Sequence, residues 1–401
     1  MVIMLNKKIV FIISIVSLLA LILLIFFIIF VNSDKETYKV IDEEDIAYFD
    51  GEVEVYSDVF LSDIIRIKGY TFQEDFKVDT SKVGPKELSF EYKNTEETKK
   101  GKITINVIDT TPPYIGIGDH YSHIIDTDFT FYSDVICKDN YDRLTKCQII
   151  GDYNIDEIGE TNVKIVAKDS SNNTTEKEFV LRVIERKDIN DTTPKYKSLD
   201  EIKVPANASL MIDVSKWQEN IDWQQVKDAG IDYVMMRLGT QRAVDKESVL
   251  DAYFEQNIKG AQEVGIKVGV YYFSYANDIE DAKEQARWVV EQLKDYKLDL
   301  PVSFDWECWK YLNDFVINLH EFNGMGRAYL KIIEENGYKA INYGSKSYLE
   351  RIWDIDEYDT WLAHYNSKTD YKKKYIMWQF TDKGKVPGIK GPVDLDFYYN
   401  K

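Results

Sequence analysis

Three patterns of apolar and polar residues follow one another along this chain. The first is an unbroken apolar run over 9–31, IVFIISIVSLLALILLIFFIIFV. As a helix it would span roughly 34 Å at 1.5 Å per residue, enough to cross the core of a bilayer. Lys7 and Lys8 precede it, while Asp34, Glu36, Glu43, Glu44 and Asp45 follow. The positive-inside tendency then puts 1–8 in the cytoplasm and the remainder outside. A cleaved signal peptide would show a shorter apolar run ending in small residues. The expectation is an uncleaved single-pass anchor at the cell membrane, with the rest of the chain extracellular.

The second pattern has period two. Leu88, Phe90 and Tyr92 alternate with polar residues, then Ile103, Ile105 and Val107 do the same. The arrangement returns later as Val163, Ile165 and Ala167, followed by Phe179, Leu181 and Val183. Alternation of this kind, broken by polar turns, predicts half-buried strands joined in hairpins. DTTPP at 109–113 marks the seam between the copies, and DTTPK at 191–195 echoes it. With KDSSNN at 168–173, these junctions resemble those of bacterial immunoglobulin-like modules. The resemblance implies two all-β sandwiches, over 38–109 and 110–186, acting as spacers or binding the wall. His120 and His123 form an HxxH pair with no third ligand in sequence, so no metal site is expected. Cys137 and Cys147 are spaced to pair in an oxidising compartment, and equally to remain two free thiols.

After a polar linker at 187–205 the third pattern begins, with short apolar runs alternating with helical periodicity. Strands are expected at 210–214, 233–238, 267–274, 301–306, 340–343, 360–364, 376–380 and 393–397. Helices are expected at 223–228, 252–264, 279–295 and 315–336. Strand–helix alternation implies parallel β-α units. Helices missing late in the series suggest an irregular α/β (TIM-like) barrel over 206–401. The fold class expected of the whole is thus multidomain: a transmembrane helix, two β-sandwiches and a barrel.

In such barrels chemistry sits where strands end. Asp213 ends the first strand, Asp305 and Glu307 end the fourth, and Asp394 and Asp396 lie in the last. Residues i and i+2 of a strand share a face, with Cα atoms roughly 6–7 Å apart. Asp305 and Glu307 therefore point together, while Trp306 between them faces away. Two carboxyls this close resist joint ionisation, so one holds its proton to higher pH. That suits glycoside hydrolysis, which needs a proton donor beside an anion. Taken singly, each acid would be read as a helix cap or an ion-pair partner. Their convergence favours a site. Tyr271, Tyr272, Tyr343, Trp361, Tyr365 and Trp378 lie near strand ends, where ring faces can pack on sugars.

Composition narrows the classes. The 401 residues carry a formal net charge of −19, which argues against a nucleic-acid partner. No GxSxG, P-loop or HExxH motif occurs, and no cofactor or metal is expected.

Several stretches resemble glycoside hydrolase family 25, the Chalaropsis-type lysozymes. They are MIDVSKWQENIDWQQVKDAGIDYVMMRLG from Met211, VGVYYFSYA from Val268, LPVSFDWE, INYGS, WLAHY, MWQF and VDLDFY. The resemblance implies an N-acetylmuramidase with peptidoglycan glycan strands as its substrate. It implies Glu307 as general acid, Asp305 as stabiliser of the reacting sugar, and Asp213 and Asp394 as orienting groups. A barrel kept only for wall binding or scaffolding is the alternative. Trp306 is a departure, since a small aliphatic residue often stands between the two acids. Cys308 and Trp309 are also individual to this chain.

Overall fold

The computed structural model describes residues 39–40, 46–48, 51–188, 193–242, 246–307, 312 and 315–399. Two compact units result, Met1–Thr110 and Thr111–Lys401.

The long hairpins form as their alternation predicts. In the first unit Gly84–Lys93 pairs antiparallel with Thr98–Ile108, and Glu52–Glu54 joins parallel to the latter. Leu88, Phe90, Tyr92, Ile103, Ile105 and Val107 are all buried. In the second unit Gly159–Lys168 and Thr174–Ile184 repeat the hairpin, with His120–Ile124 parallel to the second strand. Each four-stranded sheet is accompanied only by a ladder of three strands in the first unit and two in the second. Most of these ladder strands are two or three residues long, and one-turn helices interrupt them at Leu61–Ile64 and Phe131–Asp134. The expectation of two all-β immunoglobulin-like sandwiches is corrected accordingly. What folds is a pair of small β-modules, each a four-stranded sheet with a short second ladder, because only the one long hairpin in each copy has the length to build an extended sheet. Cys137 and Cys147 are joined in a disulfide.

The C-terminal sheet closes on itself. Its strands are β1 (Ser209–Val214), β2 (Tyr233–Gln241), β3 (Lys267–Phe273), β4 (Val302–Asp305), β5 (Ala340–Ser345), β6 (Asp359–Ala363), β7 (Met377–Gly384) and β8 (Val393–Tyr398). Around the ring the order is β1, β8, β7, β6, β5, β4, β3, β2, with β2 pairing again to β1. Strands β1 to β7 run parallel, whereas β8 is antiparallel to both its neighbours. Helices follow five strands: α1 (Trp223–Asp228), α2 (Phe254–Glu263), α3 (Ile279–Leu293), α4 (Leu319–Glu335) and α5 (Lys346–Arg351). The expected TIM-like α/β barrel is therefore corrected to a β-rich barrel with few helices. A parallel pair needs a crossover of about a dozen residues or more, while an antiparallel pair closes with a short loop. Only eight residues separate β7 from β8, so the chain must turn straight back.

Period two organises the barrel in depth. Met211, Met235, Ile341 and Met377, together with Leu300, form an apolar floor inside it. Two residues further along the same strands stand Asp213, Arg237, Tyr343 and Gln379. The intervening positions, Ile212, Met236 and Trp378 among them, face the outer core beneath the helices. Gly269 belongs to the floor. A Cβ there would lie 2.6 Å from both Leu300 Cβ and Met235 Sδ, so only glycine lets the strands close.

Helix α4 starts four residues later than the periodicity suggests. Asn318 caps it, accepting from the Glu321 amide at 2.8 Å, while the Glu321 carboxylate accepts from the Asn318 amide at 3.2 Å.

The membrane expectation is also corrected. Among the described residues no helix is long and apolar enough to cross a bilayer, so the structure does not support single-pass anchoring. The run 9–31 itself lies outside the described residues, as do Cys308 and Trp309.

Candidate active site

Four acids expected from the sequence meet at the mouth of the barrel, each delivered by strand geometry. Asp213 and Asp394 are directly paired across β1 and β8. Asp305 ends β4 and Glu307 stands two residues beyond. Asp213 and Asp305 are buried, and Glu307 reaches into the open cleft. Trp306 faces the opposite way. Its indole Nε1 donates to the Ala276 carbonyl at 2.9 Å, and its ring meets Phe322 edge-on at 4.9 Å. A cleft of about 520 Å³ opens beside Glu307, lined among others by Tyr343, Lys346, Arg351, His364 and Tyr365. That volume suits one or two sugar rings.

The aromatic candidates divide by strand face. Tyr271, Tyr343 and Trp361 belong to the barrel interior, where the Trp361 ring lies 4.7 Å from Tyr343 and 6.0 Å from Tyr271. Tyr365 stands at the rim, 39% exposed. Tyr272 and Trp378 are not brought to the cleft. Tyr272 is fully buried in the outer core and shares a 2.6 Å hydrogen bond with Ser248. Trp378 donates to the His364 carbonyl at 2.9 Å and packs on Phe380 and Phe397. One residue of register separates each from an inward-facing neighbour.

Three further residues belong to the site. Gln379 bridges the acids to the aromatics, donating to Asp213 Oδ2 at 2.6 Å and accepting from the Tyr343 hydroxyl at 2.9 Å. Arg237 is the nearby cation, held by Asp251, to which its Nε donates at 2.7 Å. Asp396 is fully buried one layer down and accepts from Trp361 Nε1 at 2.7 Å. A signal for Arg237 was present in the sequence: it is the one charge in the apolar run YVMMRLG.

Electrostatics in the cluster favour bound protons. Burial raises Asp305 well above the usual carboxylate range. Glu307 and Asp213 push it the same way, and Arg237 opposes. Asp213 is raised by burial, then by Asp396, with the Gln379 hydrogen bond opposing. Glu307 opens to solvent on one side only. The protein packed beneath it raises its carboxyl, and the Tyr343 hydroxyl within reach works against that. Among the described residues Asp305 Oδ1 is buried with no hydrogen-bond partner, as expected of a group reserved for a ligand.

Asp394 is pushed up to about 9, by burial first and then by Asp213, Asp382 and Glu307. Its unfolded value lies near 4. Stability linked to its proton is therefore complete below about pH 4 and is lost as pH rises towards 9. Asp394→Asn removes that loss. In urea titrations the variant should exceed the parent by at least about 1 kcal/mol at pH 7, with the gap closing towards pH 4. A variant less stable at pH 7 would show that the ionised carboxylate is held by favourable contacts.

The barrel's sequence is shared with known proteins. The sequence profile of Glycosyl hydrolases family 25 matches residues 212–389. The uncharacterized protein YegX of Escherichia coli K12 is 30% identical over 203 residues, 49% of this chain and 72% of its own length. The autolytic lysozyme of Clostridium acetobutylicum is 25% identical over 190 residues, 46% of this chain and 54% of its own. Among solved structures, the modular autolysin LytC from Streptococcus pneumoniae, in complex with a synthetic peptidoglycan ligand, is 26% identical. That alignment covers 59% of this chain and 56% of LytC, with a TM-score of 0.44. The chain thus spans little more than half of the lysozyme and of LytC. With an acid pair at the end of one barrel strand and two more acids beside it, this chain belongs to glycosyl hydrolase family 25 and is a glycoside hydrolase.

Proposed function

We propose that the protein is a muramidase that hydrolyses the β-1,4 bond between N-acetylmuramic acid and N-acetylglucosamine in peptidoglycan. The observation that carries this reading is the Asp305–Glu307 pair, close together at the end of β4 at the mouth of a closed barrel. The likeness to the autolytic lysozyme of Clostridium acetobutylicum supports the choice of substrate.

In this reading Glu307 protonates the leaving glycosidic oxygen. Asp305 stabilises the positive charge that develops on the reacting sugar, directly or by holding its N-acetyl group for attack. Water then adds at the anomeric carbon and returns a proton to Glu307, with net retention. Asp213 and Asp394 orient the pair. Tyr271, Tyr343, Trp361 and Tyr365 shape the sugar cleft. Modules 38–109 and 110–186 and the linker 187–205 carry the catalytic barrel 206–401.

The test is the chemistry of the new ends. The full chain is incubated with purified peptidoglycan, the products are reduced with borohydride, and the terminal sugar alcohols are identified. N-acetylmuramitol is expected. N-acetylglucosaminitol would assign a different bond. Retained wall binding with no new ends would favour the non-catalytic, wall-binding alternative.

A further inference from the structure

The β-module at 111–188 and the barrel share one compact unit, and a set of hydrogen bonds between them falls on one loop. That loop is closed by the Cys137–Cys147 disulfide. Inside it, Lys138 is 2% exposed. Its ammonium donates to the Phe315 carbonyl at 2.9 Å, the Ile317 carbonyl at 3.2 Å and the Arg143 carbonyl at 3.5 Å. The Leu319 amide donates to the Asp139 carbonyl at 2.7 Å, and Asn318 Nδ2 donates to the Tyr141 carbonyl at 2.8 Å. Arg143 Nε donates to Glu321 at 3.0 Å. Ile136, at the foot of the loop, is buried in the barrel's outer core.

All of these barrel partners, 315 to 321, lie just before helix α4 or in its first turn. From there a line of contacts leads back to the acids. The Phe315 ring meets Trp306 edge-on at 6.3 Å, and Trp306 sits between Asp305 and Glu307. A buried ammonium is costly unless it is fully bonded, so its satisfaction by carbonyls from both modules fixes their geometry. This explains why α4 begins at Leu319: Phe315 and Ile317 turn their carbonyls to Lys138 and are not part of the helix.

We propose that Lys138 is a positioning residue for hydrolysis. Through Phe315 and Trp306, the disulfide-closed loop of the β-module sets the placement of Glu307. The module is then a structural part of the active site as well as a spacer. Supporting residues of this kind govern rate because catalytic groups tolerate displacements of only about 0.5 Å.

The proposal rests on the muramidase reading for its kinetic readout, and Lys138→Met in the full chain tests it. The first measurement is amide exchange. Exchange over 302–307 and 315–322 should quicken at least tenfold, while β1, β2 and β8 keep the parent's rates. The second is kinetics on solubilised glycan strands. kcat should fall more than tenfold with KM within twofold of the parent. Should Lys138→Met not fold, Phe315→Ala serves, since it keeps every carbonyl but removes the ring from Trp306. The same losses are then expected. A folded variant with unchanged kcat overturns the proposal, even if its thermal midpoint has dropped. Should the parent open no glycan bond, the muramidase reading fails and exchange alone decides: local loosening supports the placement role, and unchanged protection overturns it.

Discussion

Glu307→Gln should leave a folded protein that binds wall glycans and cuts them on the order of 10³-fold more slowly, within the range expected for loss of a general acid. Glutamine keeps the shape and one hydrogen-bond acceptor of the side chain, and removes only the transferable proton. Glu307 opens into the cleft, so the substitution leaves no buried group unpaired. The thermal midpoint should stay within a few degrees of the parent's, or rise slightly, because a carboxyl with a raised pKa costs stability at neutral pH. Turnover and calorimetry on the same preparation check both halves. Near-normal turnover would move the acid role to another carboxyl of the cluster.

Asp305→Asn is expected to lower kcat on the order of 10²-fold and to change the shape of the pH profile. Asp305 and Glu307 lie close enough to titrate as a pair, with two macroscopic steps that belong to both. Activity requires one proton on the pair, so the parent should give a bell. Its acidic limb reports the first proton leaving and its basic limb the second. With asparagine at 305 only Glu307 titrates. The acidic limb should vanish and activity should plateau at low pH, down to the point where the protein unfolds. An unaltered bell would show that Asp305 holds no proton relevant to turnover and that its role is confined to orientation.

Much of the barrel was legible because strand periodicity is local. The eight apolar runs are visible in the sequence, and i, i+2 spacing is enough to place Asp305 with Glu307 and to turn Trp306 outward. Tyr272 and Trp378 show where that reading stops. Each adjoins an inward-facing residue, and neither chemistry nor motif says which of Tyr271 and Tyr272 faces the cleft. Only pairing across the ring decides it. Gln379 was missed for a related reason: a neutral amide draws notice only when Asp213 and Tyr343 are seen on either side of it. The β-modules were read as sandwiches because a repeated hairpin predicts strands, while the extent of a second sheet depends on contacts far apart in sequence. Lys138 carried no local signal. A lysine beside a cysteine in a polar loop looks solvent-exposed until the chain 177 residues later turns its carbonyls toward it.

Closure of the ring has a consequence for biosynthesis. Strand β8 joins β1 to β7 and brings Asp394 beside Asp213. Until residues 393–398 have emerged and docked, the barrel is an open sheet with two unpaired edges, and its cluster of acids lacks a member. A nascent chain short of that point can present Glu307 and Asp305 on an otherwise folded scaffold and still lack a finished cleft. Hydrolase capacity thus depends on the last strand of the barrel, coupled to the same event that removes the sticky sheet edges. Closing the sheet and completing the acid cluster are therefore a single step.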